Sequence, residues 1–257
     1  MFDDFRGKVA IVAGGAGAMG GSQVRKLLAD GARVVAADLD DAAGKRLEAE
    51  LGSACRYVHA DASSEADWAR VVDTAQSEWG RVDLLSNTFG IAPLCPFDEL
   101  TLDEYMKTIW VNQVGVFLGM KAVCPSMIAQ RSGAIVNFSS NSALLSQPFL
   151  TAYSASKAAV NAMTRSVAAE VGRYGIRVNT VSPGSVRSAL QTATQKGLAE
   201  SREGYDGKSM QNRKPLGRIG EPEELANMAL FLLSDASSYC TGGTFIVDGG
   251  SSSGSRP

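Results

Sequence analysis

The chain has 257 residues, of which 45% are hydrophobic and 20% charged, a balance ordinary for a globular protein with a sizeable core. Its net charge is −2, from 25 basic and 27 acidic residues without a basic run, so the sequence predicts no nucleic-acid partner. No apolar run approaches the length that crosses a bilayer and the start lacks a signal-peptide pattern, so we expect no membrane partner and a cytoplasmic protein.

Strand-like and helix-like segments alternate along the chain. Continuously apolar, β-branched runs predict strands at 8–13, 32–38, 55–61, 81–87, 133–140, 175–182 and 244–250. Periodic segments predict helices at 21–31, 41–52, 65–79, 102–130, 152–173 and 221–234. Because runs of this kind suit parallel strands covered on both faces, we predict an α/β fold with a doubly wound, mostly parallel, seven-stranded sheet.

No linker divides the chain, which predicts one domain over residues 1–250 and a flexible tail at 251–257. The polar, weakly periodic stretch 185–214 predicts a mobile loop over the site. The four cysteines are far apart and form no C-x-x-C pair, and His59 is the single histidine. We therefore expect reduced thiols and no metal site.

A glycine-rich turn, VAGGAGAMGG at 12–21, follows the first strand and opens the first helix. Such a turn lets the backbone approach a pyrophosphate at a helix N-terminus. Asp38 ends the second strand, where a carboxylate accepts ribose hydroxyls and repels a 2′-phosphate, and Leu39 follows instead of arginine. This pattern favours NAD over NADP, with a helix-capping role for Asp38 as the alternative.

Asp61 ends the third strand, and two interpretations of it stay open: contact with the adenine ring, or a cap for the helix after Ser63. Further along, AYSASKAAV at 152–160 places Tyr153 four residues before Lys157, on one helical face. A neighbouring ammonium favours the phenolate and would lower the pKa of Tyr153. An ordinary polar helix face is the alternative.

Together these motifs resemble the short-chain dehydrogenase/reductase family in its single-domain form, over about residues 5–250. The most specific part is NFSS (137–140) followed by YSASK (153–157), which places Ser140 thirteen residues before Tyr153. VNQVGVFLGMKA (111–122) is similar to the family's helix with a catalytic asparagine, here Asn112. VSPGSV (181–186) resembles the segment beside the nicotinamide, and residues 218–250 resemble the C-terminal signature.

The resemblance implies a Rossmann fold, an alcohol or ketone substrate, and oxidation of a secondary alcohol or the reverse. Tyr153 would be the general base or acid, Ser140 would hold the substrate oxygen, and Lys157 would bond the nicotinamide ribose. Asn112 would anchor a water that links Lys157 to solvent, with a purely structural helix residue as the alternative. A homo-oligomer, specifically a tetramer, is also implied.

The residues that the resemblance assigns to NAD are Gly14, Gly17, Ala18, Met19, Gly20, Asp38, Leu39, Asp61, Ala62, Asn87, Gly90, Tyr153, Lys157, Pro183, Gly184, Val186 and Ser188. For Ser188, loop capping is an alternative. The substrate pocket is expected from residues 141–152, Pro93–Cys95 and 187–214. Its apolar wall is expected from Leu144, Leu145, Phe149 and Leu150.

Two stretches depart from the family pattern. In the glycine-rich turn, where the family has T-G-x-x-x-G-x-G, Ala13 replaces the threonine and Ala18 replaces the middle glycine. After the fourth strand, where the family has N-N-A-G, Thr88 replaces the second asparagine and Phe89 replaces the alanine. Phe89 would either narrow the cofactor cleft or point into the core. We hypothesise that these changes weaken NAD binding without abolishing it. The alternatives are a 3-oxoacyl-carrier-protein-type NADPH reductase, against which Asp38 argues, and a non-catalytic dinucleotide-binding regulatory protein.

Overall fold

A computed structural model describes residues 5–201 and 214–254 of the chain. Within these ranges seven strands form one sheet in the order β3-β2-β1-β4-β5-β6-β7. The strands are β1 (Val9–Ala13), β2 (Arg33–Asp38), β3 (Cys55–His59), β4 (Leu84–Asn87), β5 (Gly133–Phe138), β6 (Ile176–Pro183) and β7 (Thr244–Val247). All six pairings are parallel, which confirms the predicted doubly wound sheet.

The helices in the described ranges are α1 (Ala18–Ala29), α2 (Asp41–Leu51), α3 (Glu65–Trp79), α4 (Leu102–Ile109), α5 (Gly115–Gln130), α6 (Thr151–Val171), α7 (Ala189–Ser201) and α8 (Pro222–Leu233). A π-helical turn, Trp110–Val114, joins α4 to α5. Helix α1 begins three residues before its predicted start, because Ala18, Met19 and Gly20 form its first turn.

Both faces of the sheet are buried, as the continuous apolar runs predict. Along β1, Ala10 and Val12 face one core cluster, in which α1 and α8 pack, whereas Ile11 faces the other. The second cluster contains Val71 of α3 and Val160 of α6. This alternation follows the two-residue period of a strand and explains why β1 is apolar on both faces, whereas the edge strands β3 and β7 are only partly buried.

The run Leu102–Gln130 corrects one expectation. By length and mean hydropathy alone it is sufficient to cross a membrane, although the sequence reading found no such run. Val123 and Met127 of this run are fully buried in the core cluster that lies under α3. Its apolar composition is therefore explained by packing against the sheet, and such a helix is weak evidence for a membrane.

The stretch 185–214 corrects another expectation, since its described part contains α7 instead of an irregular loop. Ser188 starts this helix: its Oγ accepts from Gln191 N at 3.1 Å, and its carbonyl accepts from Thr192 N at 3.0 Å. Residues 202–213 lie outside the described residues, as does 255–257 of the tail. Tail residues 251–253 form a turn, in which Ser252 N donates to Asp248 Oδ2 at 2.7 Å.

Candidate active site

The carboxyl ends of the strands open onto a cavity of about 970 Å³. It lies at the switch between β1 and β4, where doubly wound sheets bind their ligands. Its lining includes these predicted site residues: Gly14, Gly17, Ala18, Met19, Gly20, Asp38, Leu39, Asp61, Ala62, Gly90, Ser140, Tyr153, Lys157, Pro183, Gly184, Val186 and Ser188. Two predicted residues, Asn87 and Asn112, do not line it.

The glycine-rich turn leaves the start of α1 open to the cavity. The N-cap residue, Gly17, supplies no side-chain cap, and no acidic residue lies in the first turn. The N–H groups of that turn have no acceptor within the helix and carry the positive end of its dipole. Gly14 has φ +78°, and a Cβ there would lie 2.7 Å from Thr88 Oγ1. These features suit a pyrophosphate, so this part of the chain fits a dinucleotide.

Asp38 is fixed at the end of β2 by the backbone. Its Oδ2 accepts from Ala16 N at 3.0 Å and its Oδ1 accepts from Asp40 N at 3.1 Å. The Tyr57 hydroxyl donates to the Asp38 carbonyl at 2.9 Å and lies 2.8 Å from Asp41 Oδ1. Helix α2 is capped by Asp40, so the capping alternative for Asp38 is wrong. The Asp38 carboxylate reaches the cavity wall in a set orientation.

Asp61 and Ser188 both order the loops in which they lie, and their contacts with the cofactor stay predictions. The capping alternative for Asp61 is wrong, because the N-cap of α3 is Ser64. Asp61 Oδ1 accepts from Ser63 N and from Ser63 Oγ at 2.8 and 2.7 Å, while Ser64 caps α3. Ser188 Oγ donates to the Val186 carbonyl at 3.3 Å as well as capping α7. Both residues order loops and also line the cavity.

Tyr153 lies in the first turn of α6, half-buried on the cavity wall. Burial raises the pKa of Tyr153, and a hydrogen bond with the Ser140 side chain partly opposes this rise. The prediction that the neighbouring ammonium lowers this pKa is therefore wrong for the protein by itself. The Lys157 Nζ lies 5.9 Å from the centre of the Tyr153 ring.

Lys157 is buried and attached to the end of β5. Its Nζ donates to the Phe138 carbonyl at 2.8 Å, and its own carbonyl accepts from Ser139 Oγ at 2.8 Å. Burial lowers the pKa of Lys157 to about 8. The same burial disfavours the Tyr153 phenolate, so desolvation acts against the charged form of both side chains.

Asn112 lies in the π-helical turn and is fully buried. Its Oδ1 accepts from Ile91 N and its Nδ2 donates to the Ile91 carbonyl, both at 2.8 Å. Nδ2 also donates to Ser156 Oγ at 3.1 Å. Because both amide hydrogens are used, the side chain positions the loop after β4 against α6. Its role in anchoring a water that links Lys157 to solvent stays a prediction. π-Helical turns of this kind are frequent at functional sites.

The unusual stretch after β4 divides between core and cavity. Asn87 is buried and its Nδ2 donates to Asn137 Oδ1 at 2.8 Å, so its predicted contact with the cofactor is not supported by this placement. The Phe89 ring packs against the Trp68 ring, with centroids 6.5 Å apart. A Cβ at Gly115 would lie 2.9 Å from Phe89 Cε2, so this glycine leaves the space that the ring fills. Phe89 thus packs on the core and presents only part of its surface to the cavity.

The expected substrate wall is correct in part. Leu145 and Leu150 line the cavity, as do Ile91 and Ala92. Leu144, Phe149 and Pro93–Cys95 do not line it. The Phe149 carbonyl accepts from Cys95 N at 3.0 Å, so these two segments pair with each other. Sequence reasoning missed two lining lysines, Lys107 and Lys214, since nothing in the local pattern marks them.

All four cysteines, which lie within the described ranges, are free thiols. Across residues 5–201 and 214–254, no group of three or more His, Cys, Asp or Glu side chains could hold a metal ion. The chemistry available at the cavity is therefore that of a phenol, a hydroxyl and an amine at the ends of β5 and α6.

Comparison with known proteins covers nearly the whole chain. A family model described as Enoyl-(Acyl carrier protein) reductase matches residues 14–252. The 3-alpha-(or 20-beta)-hydroxysteroid dehydrogenase of Mycobacterium tuberculosis (strain ATCC 25618 / H37Rv) is 40% identical, over 96% of this chain and 90% of that protein. The crystal structure of levodione reductase has a TM-score of 0.92 at 30% identity, over 97% and 99% of the two chains. That of 3-ketoacyl-(acyl-carrier-protein) reductase from Brucella melitensis complexed with NADH has a TM-score of 0.87 at 31% identity, over 96% and 98%.

Proposed function

The chain belongs to the short-chain dehydrogenase/reductase family, whose members bind a nicotinamide dinucleotide, and is an oxidoreductase of alcohols or ketones; from this premise we propose an NAD-dependent dehydrogenase of a secondary alcohol. One observation carries the proposal: Ser140, Tyr153 and Lys157 share a cavity wall with the fixed carboxylate of Asp38. A cofactor that meets Asp38 and the start of α1 would extend along this cavity towards Tyr153.

The bound nicotinamide ring supplies the acceptor or donor of a hydride. In the reducing direction the protonated Tyr153 would give its proton to the substrate oxygen. In the oxidising direction Tyr153 would first have to lose its own proton, which the positive charge of an oxidised nicotinamide favours, and would then accept the hydroxyl proton of the alcohol. Ser140, whose side chain bonds Tyr153, holds the substrate oxygen in line with that proton. Lys157 bonds the ribose and takes part in proton exchange, for which a pKa of about 8 is suitable.

Asp38 and its neighbours support NAD over NADP. The carboxylate has one orientation, set by Ala16 N and Asp40 N, and it would repel a 2′-phosphate. The next residue, Leu39, is 59% exposed and offers no cation for that phosphate. The second candidate is a 3-oxoacyl-carrier-protein-type reductase that uses NADPH. The likeness to the 3-ketoacyl-(acyl-carrier-protein) reductase structure supports its reaction class, but that structure holds NADH and gives no support to NADPH.

Calorimetric titration of the purified protein with NADH and NADPH tests the cofactor assignment. We expect NADH to bind at least about tenfold more tightly, a difference of ~1.4 kcal/mol or more. A preference for NADPH would instead favour the second candidate. If neither dinucleotide binds at millimolar concentration, the hypothesis that Ala18 and Phe89 only weaken binding is wrong.

A substrate screen tests the reaction. Secondary cyclic alcohols, the matching ketones and an acetoacetyl thioester are offered with each dinucleotide, and absorbance of the reduced nicotinamide is followed. Turnover of an alcohol with NAD supports the first candidate, and turnover of the thioester alone supports the second. Dinucleotide binding without any turnover would point to the regulatory protein, against which the complete set of Ser140, Tyr153 and Lys157 argues.

The same proposal includes a single-domain, cytoplasmic homotetramer. Two observations support an oligomer: Trp110 and Phe117, on and beside the π-helical turn, are 51% and 46% exposed. Exposed aromatic residues of this kind are typical of subunit interfaces. Light scattering after size-exclusion chromatography gives the mass, and a monomer at micromolar concentration would contradict the tetramer. The free thiols support the cytoplasmic placement.

A further inference from the structure

The charged residues that line the cavity are divided by sign. Asp38 and Asp61 lie after β2 and β3, at one edge of the sheet. Lys107, Lys157 and Lys214 line the same cavity, Lys157 with its Nζ 5.9 Å from the centre of the Tyr153 ring, and no other described lining residue is acidic. Asp38 and Asp61 therefore give the cavity negative charge at the ends of β2 and β3, and the three lysines give it positive charge elsewhere on its wall.

Lys214 is held beside the loop that follows β7. The next residues contact that loop: Leu216 N donates to the Gly249 carbonyl at 3.1 Å, and Pro215 lies against Gly250. The Lys214 Nζ is shielded from solvent and has no hydrogen-bond partner among the described residues. Burial lowers the pKa of Lys214, and the nearby charge of Asp248 partly opposes this.

Asp248 does not satisfy this amine. Its Oδ1 accepts from Gly250 N at 2.9 Å and its Oδ2 accepts from Ser252 N at 2.7 Å, which orders the turn after β7. No ion pair joins Asp248 to Lys214 in the part of the chain that the structure covers. A buried ammonium without a partner destabilises a fold, so a ligand that supplies an anion would remove this penalty.

Lys107 strengthens the positive end from the rim. It lies in the last turn of α4, is exposed, and has no ion-pair partner within residues 5–201 or 214–254. The helix continues from α4 through the π-helical turn into α5, so Lys107 is not at a free helix C-terminus. Because an exposed lysine is well solvated, Lys107 supports the argument and does not carry it. The cavity wall that these two lysines share also carries apolar side chains, among them Leu145, Leu150 and Leu190.

We propose that the substrate is an apolar hydroxy or keto acid whose carboxylate pairs with Lys214, while its reacting oxygen meets Ser140 and Tyr153. This inference rests on the proposed function for the position of the reacting oxygen. It does not require NAD instead of NADP. A carboxylate is the group that supplies oxygen acceptors and a full negative charge to a single buried ammonium.

The test compares two unreactive ligands of nearly equal shape, cyclohexanecarboxylate and cyclohexanecarboxamide, by calorimetry on the purified full chain with and without NADH. We expect the carboxylate to bind at least about tenfold more tightly than the amide. In Lys214→Met the ratio of the dissociation constant of the amide to that of the carboxylate should fall to about one. Lys214→Arg should keep a preference for the carboxylate. Lys196→Met is the matched control, because Lys196 is an exposed lysine of α7 outside the cavity wall and should leave the ratio unchanged.

A second measurement separates a binding role from a structural one. Because Lys214→Met removes a buried, unpaired charge, the melting temperature of the variant should rise. A fall would show that Lys214 stabilises the fold by pairing within the protein, and would overturn the proposal. Equal binding of carboxylate and amide, an unchanged ratio in Lys214→Met, or failure of the carboxylate to bind would each overturn it. Loss of all turnover with a normal ratio would contradict the proposed function instead.

Discussion

The Asp38 carboxylate is held by two backbone N–H groups of the protein, whereas the Lys214 amine has no hydrogen-bond partner among the described residues. The first region is built from consecutive strands and a glycine-rich turn. The second depends on segments that meet only in the folded chain, namely residues 214–216 and the loop after β7. A site that always binds the same ligand can have its polar side chains oriented by hydrogen bonds within the protein. A site that selects among substrates instead keeps a polar group without a protein partner, so that the correct substrate supplies the partner.

Tyr57 shows that further contacts within the protein fix the region around Asp38. Its ring lies against Gly44 in the middle of α2, where a Cβ would be 2.1 Å from the ring. The hydroxyl then bonds both the Asp38 carbonyl and Asp41 Oδ1. Burial and the Asp41 hydrogen bond raise the pKa of Tyr57, so this phenol stays protonated and remains a donor. Nothing in the described part of the second region fixes Lys214 in a comparable way.

The largest effect is expected where the two regions meet, at Tyr153. Tyr153→Phe should lower kcat by about 10³-fold, within the range for loss of a general acid–base group, and leave the NADH dissociation constant unchanged. Steady-state kinetics and calorimetry on the same preparation check both. Tyr239→Phe is the control, because Tyr239 is fully exposed. Turnover equal to that of the unmodified protein would contradict the mechanism.

The next effect concerns the first region alone. Asp38→Ala combined with Leu39→Arg removes the repelling carboxylate and adds a cation for a 2′-phosphate, so the NADPH to NADH ratio of kcat/KM should rise by about 10²-fold. The preference for binding cyclohexanecarboxylate over cyclohexanecarboxamide should not change, since it depends on Lys214 and not on Asp38 or Leu39. A change in both ratios would show that the two regions are not independent.

Titration of Tyr153 gives a smaller effect that links the regions. Burial disfavours the charged form, and for a phenol that form is deprotonated, so its pKa lies above the ordinary value of about 10. The tyrosinate absorbance of Tyr153 is the difference between the absorbance of the unmodified protein and that of Tyr153→Phe, and it should appear only above pH 10. Added NAD should lower the pH at which this absorbance appears by about one unit or more, because a positive ring favours the phenolate. A titration near pH 7 without NAD would contradict the assigned burial.

The smallest effect tests the packing of Tyr57. Gly44→Ala should lower the free energy of unfolding by about 1–3 kcal/mol, since the added methyl overlaps the ring. It should also weaken NADH binding through Asp38. The control is Gly172→Ala, where nothing lies within 4 Å and φ is ordinary, so stability should stay equal or rise slightly. Equal melting curves for the two variants would show that Tyr57 moves away without cost.

The fold and much of the first region were predictable from sequence, for a physical reason. The inner strands β1 and β4 are buried throughout and β2 is buried over its centre, so each contains a continuous apolar run, and the turn and Asp38 follow in fixed order. Helix α7 was not predicted because its sequence, ALQTATQKGLAES, is polar and weakly periodic. The helix depends on contacts outside that sequence: Ser188 caps it, and Leu94 packs against it at Gly197. Lys214 was missed because the burial of a lysine depends on a loop more than thirty residues away in the chain.

The two bonds that attach Lys157 to the end of β5 have a consequence for how such enzymes diversify. One bond comes from the side chain and one from the main chain, so the acid–base pair is part of the rigid scaffold and does not belong to the surrounding loops. Residues 141–150 and α7 can then be exchanged for those of a relative, and the choice of alcohol would change while proton transfer keeps its geometry. Directed evolution of this chain towards a new substrate should therefore find its productive substitutions in those two segments.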